Sequence, residues 1–238
     1  MSSDGQIKAI SFDGDMTLWD FEKVMRHSLS LVLAELRRQV PGQASSDLTV
    51  DRMIDIRSWV AADLKGEVVN LEEIRLHAFK RTLELIGCAD DTLAAHLNAL
   101  YLKHRFEDVE LYSDVIPTLD ALGPDFFLGL LSNGNGYPER CGLPDRFRFV
   151  VFSQDVGVEK PDARMFLEAC DQAGCGPSEL MHIGDSLESD VAGANGVGSV
   201  SVWLNRDAKQ NLSGIVPNYE IRSLTELEGI VKRDGVAS

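Results

Sequence analysis

Two acidic runs and one lysine suggest a site. Asp13-Gly14-Asp15 sets two carboxylates one residue apart at the end of a β-rich run, and Gly184-Asp185-Ser186, with Asp190 five residues past Asp185, follows another such run. Gathered at one edge, the carboxylates of Asp13, Asp15 and Asp185 repel, each pair at ~4 Å costing about 4 kcal/mol at an effective dielectric near 20. Something positive must sit among them. A hard divalent cation held by one or two carboxylates, a backbone carbonyl and waters answers that need, and open water positions for a phosphate oxygen point to Mg2+ rather than a closed calcium cage. Lys160, before Pro161, adds the charge that lets the pocket receive a dianion. Ser132, Thr17 and the N–H groups around Asn133-Gly134 can then hold phosphate oxygens. Two neighbouring Asp residues also permit a division of labour, because surroundings drive their pKa values apart. One stays ionised and attacks phosphorus; the other protonates the leaving alcohol and later activates water, a double displacement through an aspartyl phosphate.

These residues need a scaffold that brings distant runs together. Residues 7–12 read as a strand, and four more runs follow late: Phe126 to Leu131, Phe149 to Phe152, Leu180 to Ile183 and Val197 to Trp203. Between them lie amphipathic segments, Val115 to Leu122, Asp162 to Ala173 and Asp190 to Asn195. Such alternation implies a Rossmann-like α/β fold, a parallel sheet with helices on both faces, whose ligand site lies outside the carboxyl ends of the strands. A closing helix is expected over Leu224 to Val231, opened by the capping box of Ser223 and Glu226.

The stretch from Phe21 to Asp108 differs. It carries four helix-period apolar stripes and no convincing strand: Phe21, Val24, Met25, Leu29, Val32, Leu36; then Met53, Ile56, Trp59, Val60; then Ile74, Phe79, Leu83, Ile86; then Leu93, Leu97, Leu100, Tyr101. We read 21–108 as an all-helical domain inserted into an α/β core of 1–20 and 109–238, with hinges near Leu18 to Asp20 and Asp108 to Asp114.

Composition is that of an ordinary soluble globular protein. At 238 residues and 44% hydrophobic content the chain can bury a full core. Lys plus Arg number 23 against 38 Asp plus Glu, a formal charge of -15, which argues against nucleic acid and anionic membranes as partners. No apolar run approaches the length of a membrane span, and no basic stretch leads into an apolar one at the N-terminus, so a cytoplasmic protein is expected. Cys88, Cys141, Cys170 and Cys175 form no CxxC pair and read as reduced thiols.

The four motifs together resemble the haloacid dehalogenase-like superfamily, in its branch with a helical cap after the first strand. Phe12-Asp13-Gly14-Asp15-Met16-Thr17-Leu18 is similar to the family's Asp-x-Asp-x-Thr motif, Leu131-Ser132-Asn133-Gly134 to its second, Val158-Glu159-Lys160-Pro161-Asp162 to its third, and Gly184-Asp185-Ser186 through Asp190 to its fourth. The resemblance implies Asp13 as nucleophile and metal ligand, and Asp15 as acid and base with its main-chain carbonyl on Mg2+. It implies Thr17, Ser132 and Asn133 on phosphate, Lys160 on the transferring group, Asp185 on the metal, and Asp190 with Ser186 behind them. The substrate expected is a small phosphorylated metabolite. Met16 departs from the glycine most members have there.

Alternatives stay open. A 2-haloacid dehalogenase would use an Asp nucleophile without metal, and resembling members lack the second carboxylate that Asp15 supplies here; a phosphomutase or a catalytically silent binding protein would keep the same fold. Asp190 could instead cap a helix starting at Val191. His27, His77, His96 and His104 read as scattered without ligand spacing, His182 and the three tryptophans as packing.

Overall fold

The computed structural model describes residues 6–233. The chain forms two compact units, one holding the described residues up to Asp20 and those from Glu110 onward, the other Phe21–Val109. The first unit starts with strand β1, Ala9–Phe12, in which all four residues are buried. Successive side chains of a strand point to opposite faces, so full burial means that both faces of the sheet are covered there.

The second unit is helical: α1 (Phe21–Gln39), α2 (Gln43–Asp47), α3 (Val50–Asp63), α4 (Leu71–Leu85) and α5 (Asp91–Glu107). Thr49, Asn70 and Asp90 cap α3, α4 and α5, each side chain accepting a backbone N–H of the first turn, a contribution of about 1 kcal/mol per cap. The apolar stripes of α1, α4 and α5 meet in one core that includes Leu29, Val32, Leu36, Phe79, Leu83, Leu97 and Tyr101. A smaller cluster joins Ile56 and Val60 to Ile74 and Ala78. Trp59 departs from the expected stripe: it is 53% exposed, with the Arg81 guanidinium 5.2 Å from its ring centre.

Back in the first unit come α6 (Val115–Leu122), β2 (Phe127–Ser132), β3 (Phe149–Phe152), α7 (Ser153–Val156), α8 (Ala163–Ala173), β4 (Leu180–Gly184), α9 (Ala192–Val197), β5 (Val200–Leu204), β6 (Tyr219–Ile221) and α10 (Leu227–Arg233). The six strands pair in parallel in the order β3-β2-β1-β4-β5-β6. Strand order reverses at the β1/β4 pair, and a crevice opens beyond the carboxyl ends of strands at such a point. Phe12 lies in register with both Leu130 and Ile183, so the residues that follow all three strands emerge together.

Local departures from expectation have physical causes. The run at Val197 ends α9, where Gly198 takes a left-handed φ of 81°, and the strand starts only at Val200. β6 is three residues with Glu220 at its centre, too short and polar to stand out in sequence. Ser223 and Glu226 do form the capping box at the closing segment.

Candidate active site

The loop after β1 is wound tightly, with Leu18 N–H bonded to Gly14 carbonyl at 2.8 Å and Met16 N–H to Trp19 carbonyl at 2.8 Å. This turn folds Trp19 back, and its indole Nε1 donates to Asp15 Oδ1 at 2.7 Å. A Cβ on Gly134 would come within 2.7 Å of Asp15 Oδ2, so only glycine leaves the carboxylate its place beside the loop after β2. Met16 holds φ 64°, the left-handed region where glycine is at ease and other residues are strained.

Across the switch point Lys160 is buried at 4% exposure and donates three bonds of 2.7 Å: to Asp13 Oδ1, to Asp190 Oδ1 and to the Leu131 carbonyl. Asn133 fixes the lysine's backbone, accepting from Lys160 N–H at 2.7 Å and donating to its carbonyl at 3.2 Å. The Asn133 side chain is thereby engaged with Lys160. Ser132 Oγ accepts from Gly134 N–H at 3.0 Å. Carboxylate oxygens of Asp13, Asp185 and Asp190 lie within 4.8 Å of one another. Thr17 is fully buried, and its Oγ1 has no hydrogen-bond partner among the described residues.

Asp190 does not cap a helix. A turn of π-helix over Leu187–Val191 swings it inward, and Ser186 takes the cap position, accepting from Ser189 N–H. Gly184 makes room, since a Cβ there would overlap the Asp190 carboxyl. Asp190 Oδ2 accepts from Ser186 N–H at 3.0 Å, and its Oδ1 also meets His182 Nε2 at 3.1 Å, while His182 Nδ1 bonds Ser11 Oγ at 2.8 Å. His182 thus does more than pack: it links two strands to the carboxylate that holds the lysine.

Burial works against every charge here, and the partners decide which survive. Asp13 is pushed up to about 8 by burial, with the charges of Asp190 and Asp15 adding to it and Lys160 opposing. Burial pushes Asp190 the same way, but Lys160 and His182 outweigh it and hold the carboxyl well below the usual range. Lys160 is opposed by its burial yet raised by Asp13 and Asp190. Asp185 is pushed up to about 6, by burial first and Asp190 second. His182 is lowered, chiefly by burial. With two or more carboxylates facing one ammonium, the cluster carries surplus negative charge, and hard oxygen donors at this spacing fit a small divalent cation.

Two further contributors escaped the sequence reading. Trp203 Nε1 donates to the Asp185 carbonyl at 2.9 Å. Arg206, just past β5, binds the Thr17 carbonyl at 2.9 Å and Asp114 at 2.8 and 3.0 Å, and borders a cavity of about 380 Å³ shared with Met16, Asp20, Tyr112 and Asp185. The signal was positional: Asn205-Arg206-Asp207 is a polar run at the carboxyl end of a strand.

Known proteins resemble this chain along most of its length. Glyceraldehyde 3-phosphate phosphatase of Methanopyrus kandleri is 30% identical over 95% of this chain and 97% of its own. The structure of a 2-haloacid dehalogenase from Pseudomonas syringae pv. Tomato matches with a TM-score of 0.82 and 30% identity, covering 96% of this chain and all of that one. The putative hydrolase YfnB of Bacillus subtilis, solved with magnesium bound, matches at 0.71 and 26% identity over 95% of this chain and 99% of its own. The sequence pattern of the haloacid dehalogenase-like hydrolases covers residues 7–198, and with a relative this similar along nearly the whole chain, the protein belongs to the haloacid dehalogenase-like hydrolase family.

Proposed function

We propose that this hydrolase cleaves the phosphomonoester of a small metabolite, with Asp13 as nucleophile and Mg2+ as cofactor. The observation that carries the reading is the buried Lys160 ammonium shared by Asp13 and Asp190 at the β1/β4 switch point, with Asp185 alongside. The phosphatase from M. kandleri and the magnesium in YfnB lend support. Asp13 and Asp185, with the Asp15 main-chain carbonyl, would hold the cation. Bound there, it supplies the positive charge that lets a phosphate dianion approach ionised carboxylates.

The chain's own groups then divide the work. Asp13 attacks phosphorus, and the bond to the leaving alkoxide breaks as Asp15 gives that oxygen its proton. Asp15 next takes a proton from water, the water oxygen attacks phosphorus, and the phosphorus–oxygen bond to Asp13 breaks to release phosphate. Lys160 steadies the nucleophile and the transferring oxygens, and Asp190 with His182 holds the lysine in place. Thr17 and Ser132 hydroxyls receive phosphate oxygens, the unpartnered Thr17 Oγ1 being the group most in need of one. The helical unit, in this reading, selects the substrate.

Dehalogenation is the second reading, favoured by the P. syringae neighbour. A departing halide needs no proton, whereas an alkoxide does, and Asp15 is held in place by Trp19 and Gly134 as such a donor. Asp13→Asn should abolish phosphate release from an aryl phosphate while the thermal melt stays within a few degrees. Wild-type rates in that variant end the mechanism, and chloride release from a 2-haloacid in excess chelator would move the reading to dehalogenation.

A further inference from the structure

The helical unit gathers a second set of metal-ligating side chains. His104 and Asp108 stand four residues apart at the end of α5, which puts them on one face of the helix, and His27 comes from α1 packed beside it. His104 Nδ1 lies 2.7 Å and His27 Nε2 3.2 Å from the same atom, Asp108 Oδ2. One ligand atom from each of the three lies within 4.8 Å of the other two. The imidazole planes are perpendicular, with centroids 6.3 Å apart, so the two rings approach one point from different directions.

We propose that His27, His104 and Asp108 bind a transition-metal ion of the zinc class. Two imidazole nitrogens and one carboxylate oxygen suit Zn2+, Cu2+ or Co2+ and not Mg2+, which takes oxygen donors. With zinc bonds of about 2.0 Å, tetrahedral ligand atoms sit about 3.3 Å apart, and both nitrogen–oxygen separations here are within about 0.6 Å of that. In the metal-free form a ring N–H donates to Asp108 Oδ2; on binding, that nitrogen's lone pair turns to the ion, and the proton passes to the other ring nitrogen or to solvent. Side-chain exposures of 51% for His27, 24% for His104 and 36% for Asp108 let an ion enter from water. Three protein ligands leave a fourth position for water. The site has a structural consequence: α1 and α5 are the first and last helices of the Phe21–Val109 unit, and a bound ion staples them together.

The test uses full-length protein and neither phosphate release nor turnover, so its failure is separate from failure of the phosphatase reading. One equivalent of Cu2+ should give an electron paramagnetic resonance signal coupled to two nitrogens, and Zn2+ should raise the melting temperature. His27→Ala and His104→Ala should each reduce the coupling to one nitrogen and weaken Zn2+ binding at least about 100-fold, more than the 10- to 100-fold typical of outer-shell partners. Asp108→Asn should weaken binding while keeping both nitrogens. An absence of nitrogen coupling, or two coupled nitrogens surviving in both alanine variants, overturns the proposal. Should an alanine variant melt early without metal, His104→Gln, which keeps a donor toward Asp108, replaces it and must still lose the second nitrogen.

Discussion

Both units bury cations, in different settings. In the sheet unit, the Lys160 ammonium is enclosed by two carboxylates and a carbonyl that three separate segments deliver to one point. In the helical unit, Arg75 and Arg105 are buried with their guanidinium groups over aromatic rings, 4.4 Å from the centre of Tyr101 and 4.6 Å from that of Phe21. Burial of charge is therefore no mark of catalysis by itself. In the sheet unit opposite charges meet from loops at strand ends, which leaves groups poised for chemistry; in the helical unit the buried guanidinium groups lie on ring faces, contacts that fill space and brace helices.

Variants can sharpen or break that contrast. The largest effect belongs to Lys160→Met, which strands Asp13 and Asp190 without their counter-charge and should cost about 3–5 kcal/mol in denaturant unfolding, along with activity. Trp19→Phe keeps the ring but loses the N–H to Asp15; kcat should fall about 10- to 100-fold with KM changed less than about threefold, and an unchanged kcat would remove the indole from the catalytic geometry. Arg75→Met should cost about 1–2 kcal/mol, and a loss equal to that of Lys160→Met would erase the distinction between the units.

Asp114→Asn should cost about as little as Arg75→Met, about 1–2 kcal/mol at neutral pH, because solvent screens part of its pairing. Burial pushes the Asp114 carboxyl up, but Arg206, the Leu224 N–H and Ser223 outweigh it and hold it below the usual range. A carboxylate depressed in the folded state contributes stability above its unfolded pKa of about 4 and loses it as pH falls through the folded value. The stability gap between wild type and Asp114→Asn should accordingly be full at pH 7 and close below about pH 4; a gap that widens in acid would contradict the pairing.

Much of the sheet unit could be read from the chain because each informative run stops a strand. Asp13, Ser132 and Asp185 were visible as polar breaks after apolar stretches, and the parallel sheet made their meeting a geometric necessity. Side chains that act from inside an element were hidden. His182 sits mid-strand, where buried residues usually pack, and only the register of β4 with β1 reveals its bond to Ser11. Trp19 is core as expected, fully buried, but nothing in the sequence says that a turn folds its N–H back on Asp15. His27 and His104 have no shared spacing, since their meeting depends on how α1 packs against α5. Trp59 misled for the converse reason: helical periodicity marks a face, and the edge of that face lies in water.

The sheet order also governs when a working site can exist during synthesis. β1 leaves the ribosome first yet lies between β2 and β4, and the Phe21–Val109 helices are complete before either neighbour has been made. Asp13 must therefore wait for its partners, and truncated nascent chains ending before β4 hold Asp13 and Lys160 without Asp185 and Asp190, so the buried cluster cannot yet close.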